Sequence, residues 1–382
     1  MKRTLLLLLL SVSTLWGQFL PDIPDRLSYA AQLNGSSQYF SKTSPVNMDL
    51  NGSELLSDVG FESGRWTAVF NATTSQSTVQ KRTGTYSMLV LATGGSATTR
   101  SPAVTNATTN KFTGEAWVYV PNTNTSKTVR LSITDQGASV INPLTTVSPA
   151  TDTWVKVVVN VQAPGTQTGL TLQVGLSGTS VSGDSLYIDD VSLTQAWDGA
   201  ISVEAKTTSG STQTLAGTSK SNASRLRIWQ NTATASVTLT DGTTSVTATN
   251  SATVNDGRFH KWGVTWSKTG NLTLYIDGVA GTGQSITGVG AITVDTLWIG
   301  RDQAGNYFNG QLGEKIRVRY SSLPSDIAQW IYRATYERFI PEPPGGGETV
   351  LRVFGRRNDA LDQSGNQGVL TNTGSTPIIQ KQ

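Results

Sequence analysis

The chain has 382 residues, 38 of them glycine, with 14% charged residues, no cysteine and a formal net charge of +3. That length allows about two domains, each large enough to bury its own core. The lack of cysteine excludes disulfides and thiolate metal sites, the single histidine excludes a pair of imidazole ligands, and a near-balanced charge gives no footprint for nucleic acid. Ten Trp, ten Tyr and nine Phe need burial, which argues against wholesale disorder.

Lys2 and Arg3 precede the apolar run Leu5 to Leu10, which continues to Trp16 with Gly17 before Gln18. This pattern predicts a secretory signal over residues 1–17 and therefore a secreted or cell-surface location. The run is too short to span a bilayer and no other segment approaches about 20 apolar residues, so no transmembrane segment is expected. An uncleaved apolar N-terminus, as a virion protein made in the cytoplasm keeps, is the alternative.

Beyond the signal, short alternating runs are separated by Gly, Asn, Asp, Ser and Thr. Examples are Lys111 to Val120, Thr128 to Thr134, Thr153 to Val159, Leu170 to Leu176, Leu186 to Leu193, Lys261 to Ser267 and Asn271 to Ile276. Their period of two and their Thr, Val and aromatic content predict half-buried antiparallel strands, and their spacing predicts sandwiches. One helix is expected over Ser322 to Phe339, where Ile327, Trp330, Ile331 and Tyr336 recur near a period of 3.6. The run Pro341 to Gly347 breaks it and marks a linker over 340–348. The remaining 349–382 are too few for a core of their own and must dock on the body, pair with another chain or stay loose.

Alternation also selects a candidate ligand face. On Phe112 to Val120, one side presents Phe112, Ala116 and Val118, and the other presents Thr113, Glu115, Trp117 and Tyr119. Arg130 and Gln173 oppose the apolar residues of their own runs in the same way. Glu115, Trp117, Tyr119, Arg130 and Gln173 together make a sugar-binding mixture, in which rings stack on pyranose C–H faces while charged and amide groups bond hydroxyls. The alternative is that Trp117 and Tyr119 lie under a covering segment as a second small core. A similar parity places Arg225 and Arg227 with Trp229, and Lys315 and Arg319 with Arg317. If those strands are neighbours, the face suits acidic glycans or a surface partner; otherwise it is a solvated sheet face.

Two family resemblances can be identified. Ser53 to Leu193 resembles a carbohydrate-binding module of the galactose-binding-like jelly-roll type, as attached to xylanases and glucanases. The fragments that carry it are Asp58 to Trp66, Gly84 to Val90, Glu115 to Val120, Thr153 to Val157 and Leu186 to Leu193. The flanking sequence resembles a laminin-G-like or concanavalin-A-like lectin jelly roll that has been split. Its fragments are Ala31 to Phe40, Met48 to Gly52, Ala200 to Lys206, Asp256 to Trp266, Leu274 to Gly278, Leu297 to Arg301 and Phe308 to Gly313. Asp362 to Asn372 is similar to the opening of a further such domain.

The resemblance implies an all-β fold of two antiparallel jelly-roll sandwiches, one inserted in a loop of the other, with one short C-terminal helix. The host takes 18–52 and 197–339, the insert 53–196. It further implies a structural calcium ion near Glu62, Asp189 and Asp190, since modules of this type hold one at their opening Phe-Glu and closing Asp-Asp pairs. Glucanases of the host fold carry a Glu-x-Asp-x-x-Glu strand pattern that is missing here. Glu204 and Glu314 read as isolated solvated edge residues, and His260 reads as scaffold, because it lacks the partners a general base needs. The expected function is an exported, non-catalytic carbohydrate-binding or adhesion protein whose ligand is a poly- or oligosaccharide. The alternatives are a decoration or fibre protein of a phage virion or surface appendage, which would contact cell-surface or virion proteins, and an accessory part of a polysaccharide hydrolase.

Overall fold

A computed structural model describes residues 29–43, 51–104, 111–135, 139–163, 169–196, 198–221, 223–313, 315–320, 328, 348–352, 371–373 and 378–380. These residues form an all-β structure of four antiparallel sheets, with ten, seven, six and five strands. The signal segment, the linker and Glu314 lie outside the described residues, as does the helix expected over Ser322 to Phe339 apart from Ala328. No described helix is long and apolar enough to cross a membrane.

The inward halves of the alternating runs separate into two cores. One draws on Leu56 through Leu193, including Phe112, Ala116, Val118, Leu131, Ile133, Leu172 and Val174. It lies between the six-stranded and five-stranded sheets. The other joins Ala31, Leu33 and Phe40 to residues from Ile201 to Ile316, among them Trp262 and Trp266, and lies between the ten-stranded and seven-stranded sheets. Each fully buried aliphatic side chain contributes about 1.5–3 kcal/mol, which is why the period-two pattern is so regular along these strands.

Pairing joins segments that are far apart in the chain. Tyr29–Asn34 pairs with Asn309–Gly313, and Tyr39–Thr43 pairs with Thr296–Ile299. Between them, Asn51–Glu54 pairs with the end of Ser185–Ala196, and only Trp197 and Asp198 separate that strand from Gly199–Lys206. The inserted stretch thus begins and ends side by side, as a loop insertion requires. Its pairing starts at Asn51, two residues before the position at which the sequence suggested it.

Local turn chemistry agrees with this register. Ile276 pairs with Val279 across Asp277-Gly278, whose φ values of 51° and 83° give a two-residue hairpin with both central residues left-handed. Asp-Gly is favoured there because the twist of such a turn matches that of the strands. The described parts of the tail dock on the body. Glu348–Arg352 pairs with Lys315–Tyr320, Thr371–Thr373 with Tyr39–Thr43, and Ile378–Gln380 with Tyr29–Asn34, so they cover sheet edges that would otherwise present unpaired backbone.

Candidate functional site

The five residues expected to share one face occupy two. Glu115, Trp117 and Tyr119 lie on Lys111–Tyr119 in the six-stranded sheet, whereas Arg130 and Gln173 lie on Val129–Thr134 and Thr171–Leu176 in the five-stranded sheet. Both sheets turn their apolar residues toward the shared core, so their polar faces point in opposite directions. Alternation fixes which side of a strand is outward, and it does not say which sheet the strand joins.

On the six-stranded sheet, cross-strand register lays the outward residues in rows. Trp154, Tyr119, Tyr187 and Leu89 form one row, Lys156, Trp117 and Asp189 the next, and Val158, Glu115 and Ser192 the third. The end of this face from Lys156 and Glu115 to Asn160 is docked against the other sandwich. Lys156 Nζ lies 3.0 Å from Glu115 Oε2 and 3.1 Å from Asp241 Oδ2, and Ala291 N–H donates to Glu115 Oε1. Asn160 Nδ2 donates to the carbonyls of Thr287 at 2.7 Å and Val289 at 3.1 Å. A Cβ at Gly290 would lie 2.2 Å from Glu115 Oε1 and 2.7 Å from Lys156 Nζ, so any larger residue there would displace the tips of this charge cluster. Glu115, at 8% exposure, is therefore a junction residue.

A second lysine completes the junction. Lys268 is fully buried, and its Nζ donates to the carbonyls of Val289, at 3.0 Å, and Gly290. Burial pushes its pKa down to about 8, with Lys156 adding to the shift and Glu115 and Asp241 opposing it. Burial alone would raise the Asp241 carboxyl. The N–H groups of Thr244, Thr243 and Gly290 and the charge of Lys156 outweigh it and hold Asp241 below the usual carboxylate range.

The first row is aromatic and partly exposed. Tyr119 has ring-centroid separations of 5.8 Å from Trp154 and 5.9 Å from Tyr187, and all three rings are half-buried. Leu89 extends the row and Leu91, beside it, is 40% exposed. Trp117 stands apart, because the Arg82 guanidinium lies 3.7 Å over its ring and is itself paired with Asp190. Trp154 and Tyr187 are absent from the sequence-based set. Tyr187 was legible, as the outward residue between Leu186 and Ile188.

The opposite face, on the five-stranded sheet, is polar. Gln173 is paired with Arg100 on one side and Ser132 on the other, and its Nε2 donates to Thr98 Oγ1 at 3.2 Å. Arg130 sits across Gly175 from Thr98, and Phe70, paired with Thr98, is 57% exposed at the edge. This face offers two guanidinium groups and one exposed ring.

Two of the three acids expected near a cation converge. Glu62 Oε1 accepts N–H bonds from Thr85 at 2.8 Å and Tyr86 at 3.2 Å, and Asp189 Oδ2 accepts them from Arg82 at 2.8 Å and Thr83 at 3.2 Å, so both hold one loop. Asp190 is turned away, toward Arg82 and Thr83 Oγ1. Burial raises the Asp189 carboxyl above its ordinary range despite its N–H bonds. Among the described residues no group of three or more His, Cys, Asp or Glu is arranged to hold a metal ion.

The other singled-out residues are structural or divided. His260 bridges Asp277, at 2.7 Å from Nδ1, and Asp256, at 3.0 Å from Nε2, and so ties its strand to the hairpin turn. These two acceptors raise its pKa, the Asp277 bond most. Glu204 is not a solvated edge residue: it is 2% exposed on an interior strand, opposite Lys261. Arg225, Arg227 and Trp229 lie in the seven-stranded sheet, whereas Lys315, Arg317 and Arg319 lie on a strand of the ten-stranded sheet, so the two basic rows do not form one face.

No curated protein matches the chain. Among solved structures, the chain is similar to the CBM22-1 xylan-binding domain from Paenibacillus barcinonensis Xyn10C, with 14% identity, 38% of this chain and 96% of that one covered, and a TM-score of 0.31. It is similar to the Clostridium thermocellum Xyn10B CBM22-1-GH10 modules complexed with xylohexaose, with 20% identity, 39% and 29% covered, and a TM-score of 0.30. A third is the receptor-binding domain of botulinum neurotoxin C/D mosaic serotype, with 16% identity, 36% of each chain covered, and a TM-score of 0.30. The span of this chain is thus under two fifths of the length of the second and third. Residues 177–321, which take in the closing strand of the inserted sandwich and most of the host, match the family model of the concanavalin A-like lectin/glucanases superfamily.

Proposed function

We propose that this is an exported, non-catalytic carbohydrate-binding protein that takes glycans on the aromatic row Trp154, Tyr119 and Tyr187 of its inserted sandwich. The lectin-like fold supports glycan binding in general. The observation that carries the site is that three half-buried rings meet on one outward sheet face beside a fully occupied junction. Contiguous, half-buried rings offer apolar faces to pyranose C–H groups, and the two phenols supply hydroxyl donors. Partial burial, then the charge of Asp152, raises the Tyr119 pKa, which keeps its hydroxyl protonated. The non-catalytic reading rests on how the acids on this face are used: Glu115 and Asp241 are committed to Lys156, and Asp152 accepts from Asn122 N–H and from the Tyr119 hydroxyl. In a glycan array and in polysaccharide pull-downs, Trp154→Ala loses the bound glycan while its unfolding curve stays close to wild type.

The same reading includes a structural calcium ion shared by Glu62 and Asp189, with backbone carbonyls completing a hard oxygen set. Its support is that Asp189 is fully buried and that Glu62 Oε2 has no hydrogen-bond partner among the described residues. The ion would anchor the loop that carries Arg82. Adding a chelator is expected to lower the melting temperature, and calcium to restore it; an unchanged melt removes the ion.

A further inference from the structure

The seven-stranded sheet of the host carries a feature that the aromatic row does not use. Arg225 and Arg227 are two residues apart on Ala223–Asn231 and so point to the same outward face, about 7 Å apart along the strand. Each has a buried guanidinium nitrogen without a hydrogen-bond partner, Nη1 in Arg225 and Nη2 in Arg227. Arg227 is otherwise well held. Its Nε lies 2.8 Å from Asp302 Oδ2 and 2.8 Å from Thr214 Oγ1, and its guanidinium is 4.7 Å over the half-buried Trp229 ring. The Trp229 indole N–H is fixed in turn by Thr238 Oγ1 at 3.1 Å.

Arg225 differs. Its guanidinium lies against Gly242, where a Cβ would sit 2.3 Å from Nη1, and among the described residues no carboxylate pairs with it. Asp302 is the acid paired with Arg227, and its oxygens are taken by Arg227, Thr214, and the N–H and amide of Asn306. A buried donor without a partner costs free energy, and two on one face, beside a ring held at fixed orientation, call for an acceptor from outside the chain. Guanidinium groups match planar or tetrahedral oxyanions, and the Trp229 ring, with Arg227 over one face, holds that guanidinium in place.

We propose that Arg225, Arg227 and Trp229 form a second binding site, specific for the anionic group of an acidic saccharide. It deepens the carbohydrate-binding reading, resting on it only for the saccharide class, and its residues and sheet are separate from the aromatic row. The shared chemistry is an oxyanion carried on a sugar, with carboxylate and sulfate as its two sources.

The test uses the full chain against immobilised polygalacturonate, dextran sulfate and neutral xylan, at low and at moderate salt, with inorganic sulfate as a free competitor. Wild type is expected to bind at least one acidic polymer, more weakly as salt rises. Arg225→Gln, which touches no partner in the chain, is expected to weaken that binding about tenfold or more, and Arg227→Lys to weaken it less while keeping the Asp302 pair. Preference for polygalacturonate assigns a carboxylate, and preference for dextran sulfate assigns a sulfate. Binding of acidic polymers that is unchanged in Arg225→Gln overturns the site, as does wild type that binds no acidic polymer, or one for which inorganic sulfate competes as well as free polymer. Trp154→Ala separates this site from the first: it is expected to leave acidic binding intact, so loss of one activity without the other tells which proposal has failed.

Discussion

The two halves of one sheet face, on the six-stranded sheet of the insert, have opposite fates. Toward one end, Glu115, Lys156 and Asn160 are sealed against the loops of the host, with Asp241 and the buried Lys268 across from them. Toward the other, Trp154, Tyr119 and Tyr187 remain half-buried, and no ion pair to the host is formed there among the described residues. By alternation all of these are simply outward residues. What separates them is the second sandwich: charged groups are used where two bodies meet, with each charge matched, and rings where the face stays free. A buried charge cluster contributes specificity more than net stability, because desolvation offsets much of the attraction. The junction thus fixes how the insert sits, and the rings are left to recognise something else.

The contrast can be broken first at the junction. Asp241→Ala removes one of the two carboxylates that face Lys156 and Lys268, leaving Glu115, and is expected to cost about 3 kcal/mol, read as a shift in urea unfolding. Glycan binding by the folded fraction should be unchanged. A loss of stability under about 1 kcal/mol, the range of an exposed pair, would mean that the two bodies are not locked by these charges.

A smaller and more specific effect comes from pH. Lys268 has a folded pKa near 8, against 10.5 for an ordinary lysine, so between those values the unfolded chain holds a proton that the folded chain has released. Stability therefore rises with pH across that window, and below about 8 the full cost of burying the charge is present. Lys268→Met removes the group, and its stability should show no such rise. A wild-type curve that is flat or falling from pH 8 to 10 while the Met variant matches it would place the lysine in water.

Most of the fold was legible in the chain. Runs such as Lys111 to Val120 and Leu170 to Leu176 alternate because their inward residues fill a core. The candidate site was legible only in part. Tyr119 and Trp117 were correctly placed outward, but Arg130 and Gln173 were assigned to the same face because alternation carries no information about which of two sheets a strand joins. Glu115 was read as a ligand group because the groups that enclose it from the other sandwich, the Ala291 N–H and, through Lys156, Asp241, lie far along the chain in loops without periodic signal. Glu204 looked solvated for a similar reason: a lone acid on a strand gives no hint that its strand is interior. Trp117 was taken as a stacking platform, and only the fold brings Arg82 over its ring.

The central claim is that the aromatic row binds glycan and the docked end of the face does not. It is tested most directly by affinity electrophoresis through a panel of soluble polysaccharides, comparing wild type with Trp154→Ala and Asp241→Ala under conditions where both remain folded. Retardation lost in Trp154→Ala and kept in Asp241→Ala is the expected result. Retardation kept in Trp154→Ala, or no retardation of wild type in any polysaccharide, would contradict the claim.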